Sequence, residues 1–330
     1  GMTRPVPKPV WRLVYTGTDI TQDIAADVVS VTYTDKLHGE SDELDIDIED
    51  RQGRWRGPWY PGKGDVVEAT IGLQPGMQMP AGRFEIEEIA FSGGRQGDRV
   101  AIRALAAAIT EDLRTRRSKA YEDTTLRTVI DQVAARNGLD VVGLTADAPV
   151  QRISQDDESD LAFIKRLAET YGHAATVRGG QMIFQELDDL RAGKVVATLG
   201  RADLKSYRLN DKGREVYKAA TVTYQDPDSK ELVEHTAEAE GVETGDTIKR
   251  YVRAENPAQA EAKAKALLDE RNRRKVAGTL SVDGRPGLVA GVKLALDGLG
   301  RLDGAYLITQ STHTQDRSGG YTTKLEVERV

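Results

Sequence analysis

The sequence predicts an α+β fold that is mainly β, with two β-rich regions on either side of a small α/β insert. Residues 11–103 contain short apolar–polar runs separated by glycine–proline turns, which is typical of a small barrel or sandwich. Helical periodicity appears after about residue 110, and strands return from about residue 187. The expected domains are a first β domain at 2–112, an α/β insert at 113–186 and a second β domain at 187–330.

The first β domain contains one strand with a clear period of two. Leu44, Ile46 and Ile48 alternate with acidic residues, so this strand should bury one face and present an acidic face to solvent. Further strands are predicted at 66–71 and 84–89, because each combines apolar alternation with flanking turn residues. Several short strands of this kind predict a compact β domain.

The first helix of the insert is predicted over residues 125–137. Asp123 or Thr124 can serve as its N-cap, and Gly138 ends it. Four apolar residues recur on one face of this helix. They are Leu126, Val129, Ile130 and Val133.

The second helix of the insert begins after a segment rich in short oxygen side chains, which suit the free N–H groups and the positive dipole of a helix start. These side chains are Asp156, Asp157, Ser159 and Asp160. Apolar residues follow at helical spacing, namely Leu161, Ile164, Leu167, Ala168 and Tyr171. Gly172 is placed for a left-handed end. The alternation around Ala175, the pair Gly179-Gly180 and the run 182–184 predict a hairpin.

The second β domain is predicted to contain one long helix among its strands. Asn256 can cap this helix and Pro257 can occupy its first turn, and the helix should extend to about Lys275. Residues 217–224 are predicted to form a strand that precedes it. The closing strands are expected at 279–282, 292–296, 306–311 and 322–327, with a hairpin loop at 316–320.

Composition excludes several classes of protein. The chain has no cysteine, which rules out disulfides, thiolate catalysis and cysteine-bound metals, and fits assembly in a reducing cytosol. No apolar run approaches the roughly 20 residues that span a bilayer, so no membrane anchor is expected. A net charge of −7 and only 5% aromatic residues disfavour both a duplex-DNA surface and a stacking platform for single strands.

Two short basic clusters are interpreted as solvated faces or subunit contacts rather than phosphate sites. The first consists of Arg114, Arg116, Arg117 and Lys119, and the second of Arg271, Arg273, Arg274 and Lys275.

No motif predicts catalysis. The four histidines His38, His173, His235 and His313 are far apart in sequence and lack zinc-ligand spacing. Runs of acids such as Glu87-Glu88 are more typical of solvated faces and helix caps than of the paired carboxyls of a glycosidase. Neither a G-x-S-x-G nucleophile motif nor a phosphate-binding loop occurs. We therefore expect no catalytic residue, no cofactor and no metal site.

The segment QDDESDLAFIKRLAETYG, followed by ATVRGGQMIF, resembles the phage late control D family of contractile-tail baseplate hub proteins. Family members typically show a Gln, a polar pair, Glu-Ser-Asp, a Phe-Leu pair, Arg-Leu, Tyr-Gly and a strand ending in Phe. Ile164 stands where the family more often has Leu. The matching signature residues are Gln155, Glu158, Ser159, Asp160, Phe163, Arg166, Leu167, Tyr171, Gly172 and Phe184.

The resemblance continues along most of the chain, through SDELDIDIEDRQGRW, YPGKGDVVEATIGL, GRFEIEEIAFSG, LRTRRSKAYEDTTL, GRPGLVAGVKLAL and YTTKLEVER. It implies two similar tail-tube-like β-barrel domains joined through the insert. It also implies a homotrimeric ring that binds the tail tube protein on one side and the central spike protein on the other. Such a ring would lie in the virion tail baseplate after assembly in the host bacterial cytoplasm, with DNA only as passing cargo.

Acidic residues lining the lumen of such a ring would repel the DNA backbone. Asp45, Asp47 and Glu49, on the polar face of the alternating strand, are the candidates. Two alternatives stay open: a tail-associated cell-wall hydrolase, and the hub subunit of a type VI secretion spike. The type VI family normally fuses hub and spike, and no spike-like repeat follows LEVERV, which favours the phage interpretation.

Overall fold

The computed structural model describes residues 3–38, 41–106, 111–144, 148–178, 180–212, 216–272, 275–318 and 320–330. Strands dominate this part of the chain. In its described residues, the first β region contains seven strands and one short helix: β1 Lys8–Tyr15, β2 Thr18–Asp19, α1 Thr21–Ile24, β3 Val28–Lys36, β4 Glu43–Glu49, β5 Val66–Gln74, β6 Gln78–Gly94 and β7 Gly97–Ala106.

The insert begins with a short helix and alternates strands and helices. Its elements are α2 Glu111–Arg114, β8 Arg116–Thr125, α3 Leu126–Arg136, β9 Asp140–Val142, β10 Pro149–Ser159, α4 Asp160–Thr170, β11 His173–Arg178 and β12 Gln181–Glu186. Strand β8 pairs antiparallel with β10, and β11 and β12 form the predicted hairpin, with β9 parallel to β12. Both longer helices pack one apolar face into a single core shared with these strands.

The rest of the chain returns to β structure around one long helix. Its elements are α5 Leu187–Arg191, β13 Val195–Gly200, β14 Leu204–Asp211, β15 Tyr217–Gln225, β16 Leu232–Glu238, β17 Asp246–Tyr251, α6 Pro257–Asn272, β18 Val276–Asp283, β19 Lys293–Asp297, β20 Gly304–Asp316 and β21 Gly320–Arg329. Short 3₁₀ helices occur at Arg201–Asp203 and Gly300–Leu302.

Strands from both ends of the chain form one sheet. Among the described residues thirteen strands are joined by hydrogen bonds, in the order β14-β18-β21-β20-β3-β4-β7-β6-β5-β1-β2, with β13 and β19 attached beside β20. The junction is the antiparallel pair β3–β20, in which Thr34 lies opposite Thr312 and Tyr33 opposite His313. The two β regions are therefore joined strand to strand, and their division into two similar barrels stays a prediction.

Each β region nevertheless has a hydrophobic core of its own. The first core draws on β1 and β3–β7, and from the far end of the chain it includes only Tyr321 among its buried residues. The second core draws on residues from Leu199 to Val327. The continuous sheet thus carries two cores, separated by the β3–β20 junction.

Residues 217–272 form a separate lobe within the region predicted as the second β domain. Strand β15 pairs with β16 and β17, and α6 packs on this small sheet through Ala260, Ala264 and Leu268. The sequence pattern predicted the strand and the helix but not that they would form a sheet and core of their own.

Helix boundaries follow the predicted capping chemistry with one shift. The predicted caps of α3 were Asp123 or Thr124, but Thr125 caps it, and its hydroxyl accepts a hydrogen bond from the Thr128 N–H at 3.2 Å. The reason is that β8 continues through Thr125 in extended conformation. Asn256 caps α6 as predicted, accepting from the Gln259 N–H at 2.7 Å. The helix ends at Asn272 in the described part of the chain.

Candidate functional site

The polar residues of the family signature meet in a buried network around Asp160. Strand β10 delivers Gln155, and the first turn of α4 delivers Asp160, whose side chain is fully buried. The Gln155 amide donates a hydrogen bond to Asp160 Oδ1 at 2.8 Å and another to the Glu158 carbonyl at 2.9 Å. The signature therefore fixes the turn by which β10 enters α4.

Arg136, from the last turn of α3, supplies the positive charge of this network. Its Nε donates to Asp160 Oδ2 at 2.9 Å, its Nη2 to Gln155 Oε1 at 2.9 Å and to Asp160 Oδ1, and its Nη1 to the Tyr121 hydroxyl at 2.6 Å. Asn137 adds a hydrogen bond to Asp160 Oδ2 at 2.9 Å. A single guanidinium thus ties together α3, α4, β8 and β10.

Asp160 and Arg136 each stabilise the charged form of the other. Burial alone would raise the pKa of Asp160, but hydrogen bonds from Arg136, Asn137 and Gln155 outweigh it and hold that pKa below its usual value. The hydrogen bond to Asp160 raises the pKa of Arg136. Arg117 lies 3.6 Å from the same carboxylate. With every acceptor oxygen engaged, this carboxylate is suited to holding helices in place and not to proton transfer.

The remaining signature residues cap and pack the insert. Ser159 caps α4 by accepting from the Ala162 N–H at 3.1 Å, and Gly172 ends the helix with φ +66°. Phe163 stacks on Tyr121 with ring centroids 5.7 Å apart. Leu167 and Tyr171 face the same core.

Phe184 lies in the same core on the hairpin, with its ring 4.7 Å from that of His173. The structure therefore brings all ten signature residues into one unit, the insert and its edges. Sequence reasoning missed Arg136, Asn137 and Tyr121. The signal available for the first two was a polar Arg-Asn pair at the end of an otherwise amphipathic helix.

A polar cleft lies where the insert meets the 217–272 lobe. On the insert side Arg166 donates to Glu158 Oε1 at 2.6 Å and to the Ser154 carbonyl at 2.8 Å. Glu255 and Lys263 face it from the lobe, in a cleft of about 320 Å³. Burial raises the pKa of Glu255 and lowers that of Lys263. A general acid needs a carboxyl with a raised pKa. If the chain were a hydrolase, Glu255 in this cleft would be the candidate for that role.

The acidic side chains of β4 are paired with arginines, which the sequence pattern did not indicate. Leu44, Ile46 and Ile48 are buried as predicted, and the three acids point away from the core. Ion pairs join Asp45 to Arg103 at 3.5 Å, Asp47 to Arg99 at 3.2 Å, and Glu49 to Arg317 and Arg51.

The pKa values of Asp45 and Glu49 shift in opposite directions. Burial raises the pKa of Asp45 although Arg103 opposes it, whereas the hydrogen bond from Arg317 lowers that of Glu49. Arginines of β7 thus neutralise part of the face proposed to line a lumen, and the lumen assignment of these acids stays a prediction.

The first basic cluster is also largely paired. Arg114 lies 3.1 Å from Glu87, Arg116 lies 3.3 Å from Asp157, and Lys119 lies over the Tyr121 ring at 5.0 Å. In the second cluster Arg271 lies in the last turn of α6 and is half-buried, and Lys275 is exposed. Arg273 and Arg274 lie outside the described residues.

The four histidines lie in different parts of the described structure. His313 is buried at the β3–β20 junction, His173 is buried in the insert, His38 follows β3, and His235 lies on β16. Within the ranges that the structure describes, no three His, Asp or Glu side chains are grouped so that they could hold a metal ion. No helix in those ranges is long and apolar enough to cross a membrane.

A second buried polar network, which the sequence did not predict, lies at the β3–β20 junction. The Asp35 carboxylate, fully buried on β3, accepts from the Ser311 hydroxyl at 2.9 Å and from the Ala290 N–H at 2.8 Å. His313 Nε2 donates to the Leu288 carbonyl at 2.9 Å, because a carbonyl can only accept, and Nδ1 lies 2.6 Å from the Tyr321 hydroxyl. Burial lowers the pKa of His313 to about 4. We call these residues the junction network.

Comparisons with known proteins identify relatives of this arrangement. The sequence model of the phage tail baseplate hub (GPD) family matches residues 82–318, which include the whole signature. Probable baseplate hub proteins of Escherichia phages 186 and P2 are 31% and 33% identical over 195 residues, which cover 58% of this chain and 48% of each relative. The alignments thus span about half the length of these relatives.

Solved structures share the fold over nearly the whole chain. A tail protein from Neisseria meningitidis superposes with a TM-score of 0.72 at 11% identity, over 98% of this chain and 97% of that one. A 43 kDa tail protein of prophage MuSo2 from Shewanella oneidensis gives 0.69 at 16% identity, over 97% and 98%.

A component of the type VI secretion system from E. coli gives a TM-score of 0.57 at 14% identity, over 92% of this chain and 74% of that one. At these identities the superpositions establish a shared fold. The family match covers most of the chain, and the chain therefore belongs to the phage tail baseplate hub (GPD) family.

Proposed function

We propose that this chain is a structural baseplate hub subunit of a contractile phage or prophage tail, and that it acts without catalysis. The observation that carries the proposal is the family match over residues 82–318, which includes the insert and its buried signature network. The two phage relatives bear the name of hub proteins. Such a signature is useful in a scaffold because the pair of half-buried Arg136 and buried Asp160 joins four elements of the insert.

In this proposal three copies form a ring between the tail tube protein and the central spike protein. The long sheet supports it, because β2 and β14 lie at the two ends of its main path, where edge strands are available for pairing between subunits. The ring would be located at the virion baseplate after assembly in the host cytoplasm.

The oligomeric state provides the first test. Three chains of 36.1 kDa give a mass of about 108 kDa, measurable by light scattering over a concentration series. We expect that mass alone or after addition of the tube and spike proteins of the same tail. A monomer that stays monomeric with both partners present would contradict the proposal.

The polar cleft at Glu255 motivates the hydrolase alternative. A zymogram with peptidoglycan separates the two, because a scaffold leaves the gel uncleared. If the wild-type chain clears the gel and Glu255→Gln does not, the enzymatic interpretation would replace the structural one.

The lumen hypothesis has its own test. Reversal of Asp45, Asp47 and Glu49 to lysine should slow DNA ejection, because six units of charge change on one face and the arginine partners lose their acids. The matched control reverses three exposed acids of the 217–272 lobe: Glu234, Glu238 and Glu240. Equal ejection rates for both variants, each with an intact ring, would contradict the hypothesis.

A further inference from the structure

An aromatic groove lies at the edge of the first β region, outside every site described above. Tyr15, Trp55, Trp59 and Tyr60 line it together with Asp23 and Asp65, and its volume is about 430 Å³. Only 5% of the chain is aromatic, so four aromatic side chains in one groove mark an unusual concentration. Grooves of this size and lining bind short apolar or proline-rich segments.

Part of this aromatic surface is accessible to solvent. Trp59 and Tyr60 are 38% and 63% exposed, and Trp59 meets the buried Trp55 edge to face at 5.8 Å. The guanidinium of Arg54 lies 4.9 Å from the Trp59 ring centroid, which places one positive charge of the same chain on this ring. The charged groups among the groove's lining residues are the two carboxylates.

The N-terminal segment has the complementary chemistry. Prolines occur at positions 5, 7 and 9, and each one restricts both its own φ and the conformation of the residue before it. Residues 3–9 therefore favour an extended, polyproline-like form that loses little entropy on docking. All of them are exposed, Val6 by 80%, and Arg4 and Lys8 make the segment basic.

This segment cannot reach the groove of its own chain. Strand β1 begins at Lys8, opposite Gln74, and ends at Tyr15, opposite Val67 and beside the groove. Seven residues of strand place Lys8 about 23 Å from Tyr15, so the arm begins at the end of β1 that is far from Tyr15. Three residues back to Pro5 span at most about 11 Å, too little to return.

We propose that the arm Thr3–Pro7 of one copy docks in the aromatic groove of a second copy of this chain. Pro5 and Pro7 pack on the Trp59 and Tyr60 rings, and Arg4 lies near Asp23 and Asp65. The contact is an exchange of arms between subunits. It does not depend on the proposed hub function. In a closed ring, every groove would hold the arm of a neighbouring subunit.

Disulfide trapping tests this contact directly, because the chain has no cysteine of its own. Val6→Cys is introduced in one full-length chain and Lys63→Cys, an exposed residue next to the groove, in another that carries a size tag. Mild oxidation of the mixture should give a disulfide between the two different chains. Leu232→Cys, 67% exposed on the distant lobe, replaces Lys63→Cys in the control.

Variants of the arm identify the chemistry of docking. Pro5→Ala combined with Pro7→Ala, in the Val6→Cys chain, should lower the yield of the mixed disulfide by about tenfold, and Thr3→Ala should leave it unchanged. These residues are exposed, so their replacement leaves the fold intact.

Two results would overturn the proposal. One is a mixed disulfide no more abundant than in the Leu232→Cys control, measured at a concentration where light scattering shows oligomers. The other is closure within one chain in the double variant Val6→Cys, Lys63→Cys at high dilution. A trimeric mass without the mixed disulfide would reject arm exchange and leave the hub proposal standing. A mixed disulfide from a chain that stays dimeric with both partners present would reject the hub proposal and leave arm exchange standing.

Discussion

The insert and the β3–β20 junction each bury a polar network, and the two networks are built in different ways. In the insert, Asp160 and Arg136 form a charged pair between residues 24 positions apart. At the junction, Asp35 and Ser311 meet across 276 positions, and the central imidazole is neutral. The first network orders one compact unit, and the second joins the two ends of the chain.

A buried polar network can stabilise either one local unit or a contact between distant parts of the chain. A charge pair with full hydrogen bonding specifies one geometry locally, and removing one partner leaves an uncompensated charge. At the junction, the buried Asp35 carboxylate accepts from neutral donors of other segments and so fixes the register of β3 against β20. Loss of the insert network should therefore unfold the insert first, whereas loss of the junction network should loosen both β regions together.

The largest expected effect is at Asp160. Asp160→Ala removes the carboxylate that accepts from half-buried Arg136 and from buried Gln155, and we expect the free energy of unfolding to fall by about 3–5 kcal/mol. Hydrogen exchange should show lost protection in α3 and α4 while β20 stays protected. The control is Glu122→Ala, which removes a surface ion pair with Arg152 and should cost less than about 1 kcal/mol. Equal losses of unfolding free energy in both variants would contradict a stabilising role of the Asp160 network.

The next effect is the pH dependence that comes from His313. Its folded-state pKa, about 4, lies below the unfolded value near 6.5, so the unfolded chain binds the extra proton between these values. The stabilisation is complete above about pH 6.5 and declines, by on the order of 3 kcal/mol, as the pH falls to about 4.

Denaturant titrations at pH 7, 5.5 and 4.5 check this prediction. His313→Gln keeps a donor for the Leu288 carbonyl but does not titrate, so its stability should vary less with pH than that of the wild type. His235→Gln, on the half-buried face of β16, is the matched control and should keep the wild-type slope. Identical slopes for all three proteins would show that the junction imidazole does not titrate as described.

A smaller effect is expected at Ser311. Ser311→Ala removes the hydroxyl donor to buried Asp35, and such a loss costs about 1–3 kcal/mol. Calorimetry should show one transition at a lower temperature, because the junction links both β regions. Thr309→Ala, which removes an exposed hydroxyl two residues away, is the control. Two separate transitions would indicate that the β regions unfold independently and that the junction does not couple them.

The smallest effect is expected at the N-cap of α4. Ser159→Ala removes the acceptor of the Ala162 N–H and should cost about 1 kcal/mol. Asp160 remains beside the helix start, so the buried pair should hold α4 in place. Thr170→Ala, whose hydroxyl bonds within the helix, should be nearly neutral. A loss as large as that of Asp160→Ala would mean that the cap, and not the charge pair, fixes the insert.

Local patterns predicted the three longest helices and about half of the described strands. The alternation at Leu44, Ile46 and Ile48, the Gly172 helix end and the Asn256 cap all appear where expected, because each depends on residues a few positions apart. The strand β8 was missed, since its sequence RRSKAYEDTT has little apolar alternation, and it is held by pairing with β10. Predictions that fall at Gly179, Arg273 and Arg274 lie outside the described residues.

The sequence alone determined the α+β class, the Asn256 cap of α6, the signature of the insert and the family to which the chain belongs. Capping, periodicity and motif order depend on residues that are close in sequence, so a single sequence is enough to predict them. Only the tertiary structure decided that Arg136 neutralises Asp160, that arginines of β7 pair with the acids of β4, and that the two β regions share one sheet through β3 and β20. These contacts join distant residues, and their partners are chosen by strand order and packing, which no local pattern specifies.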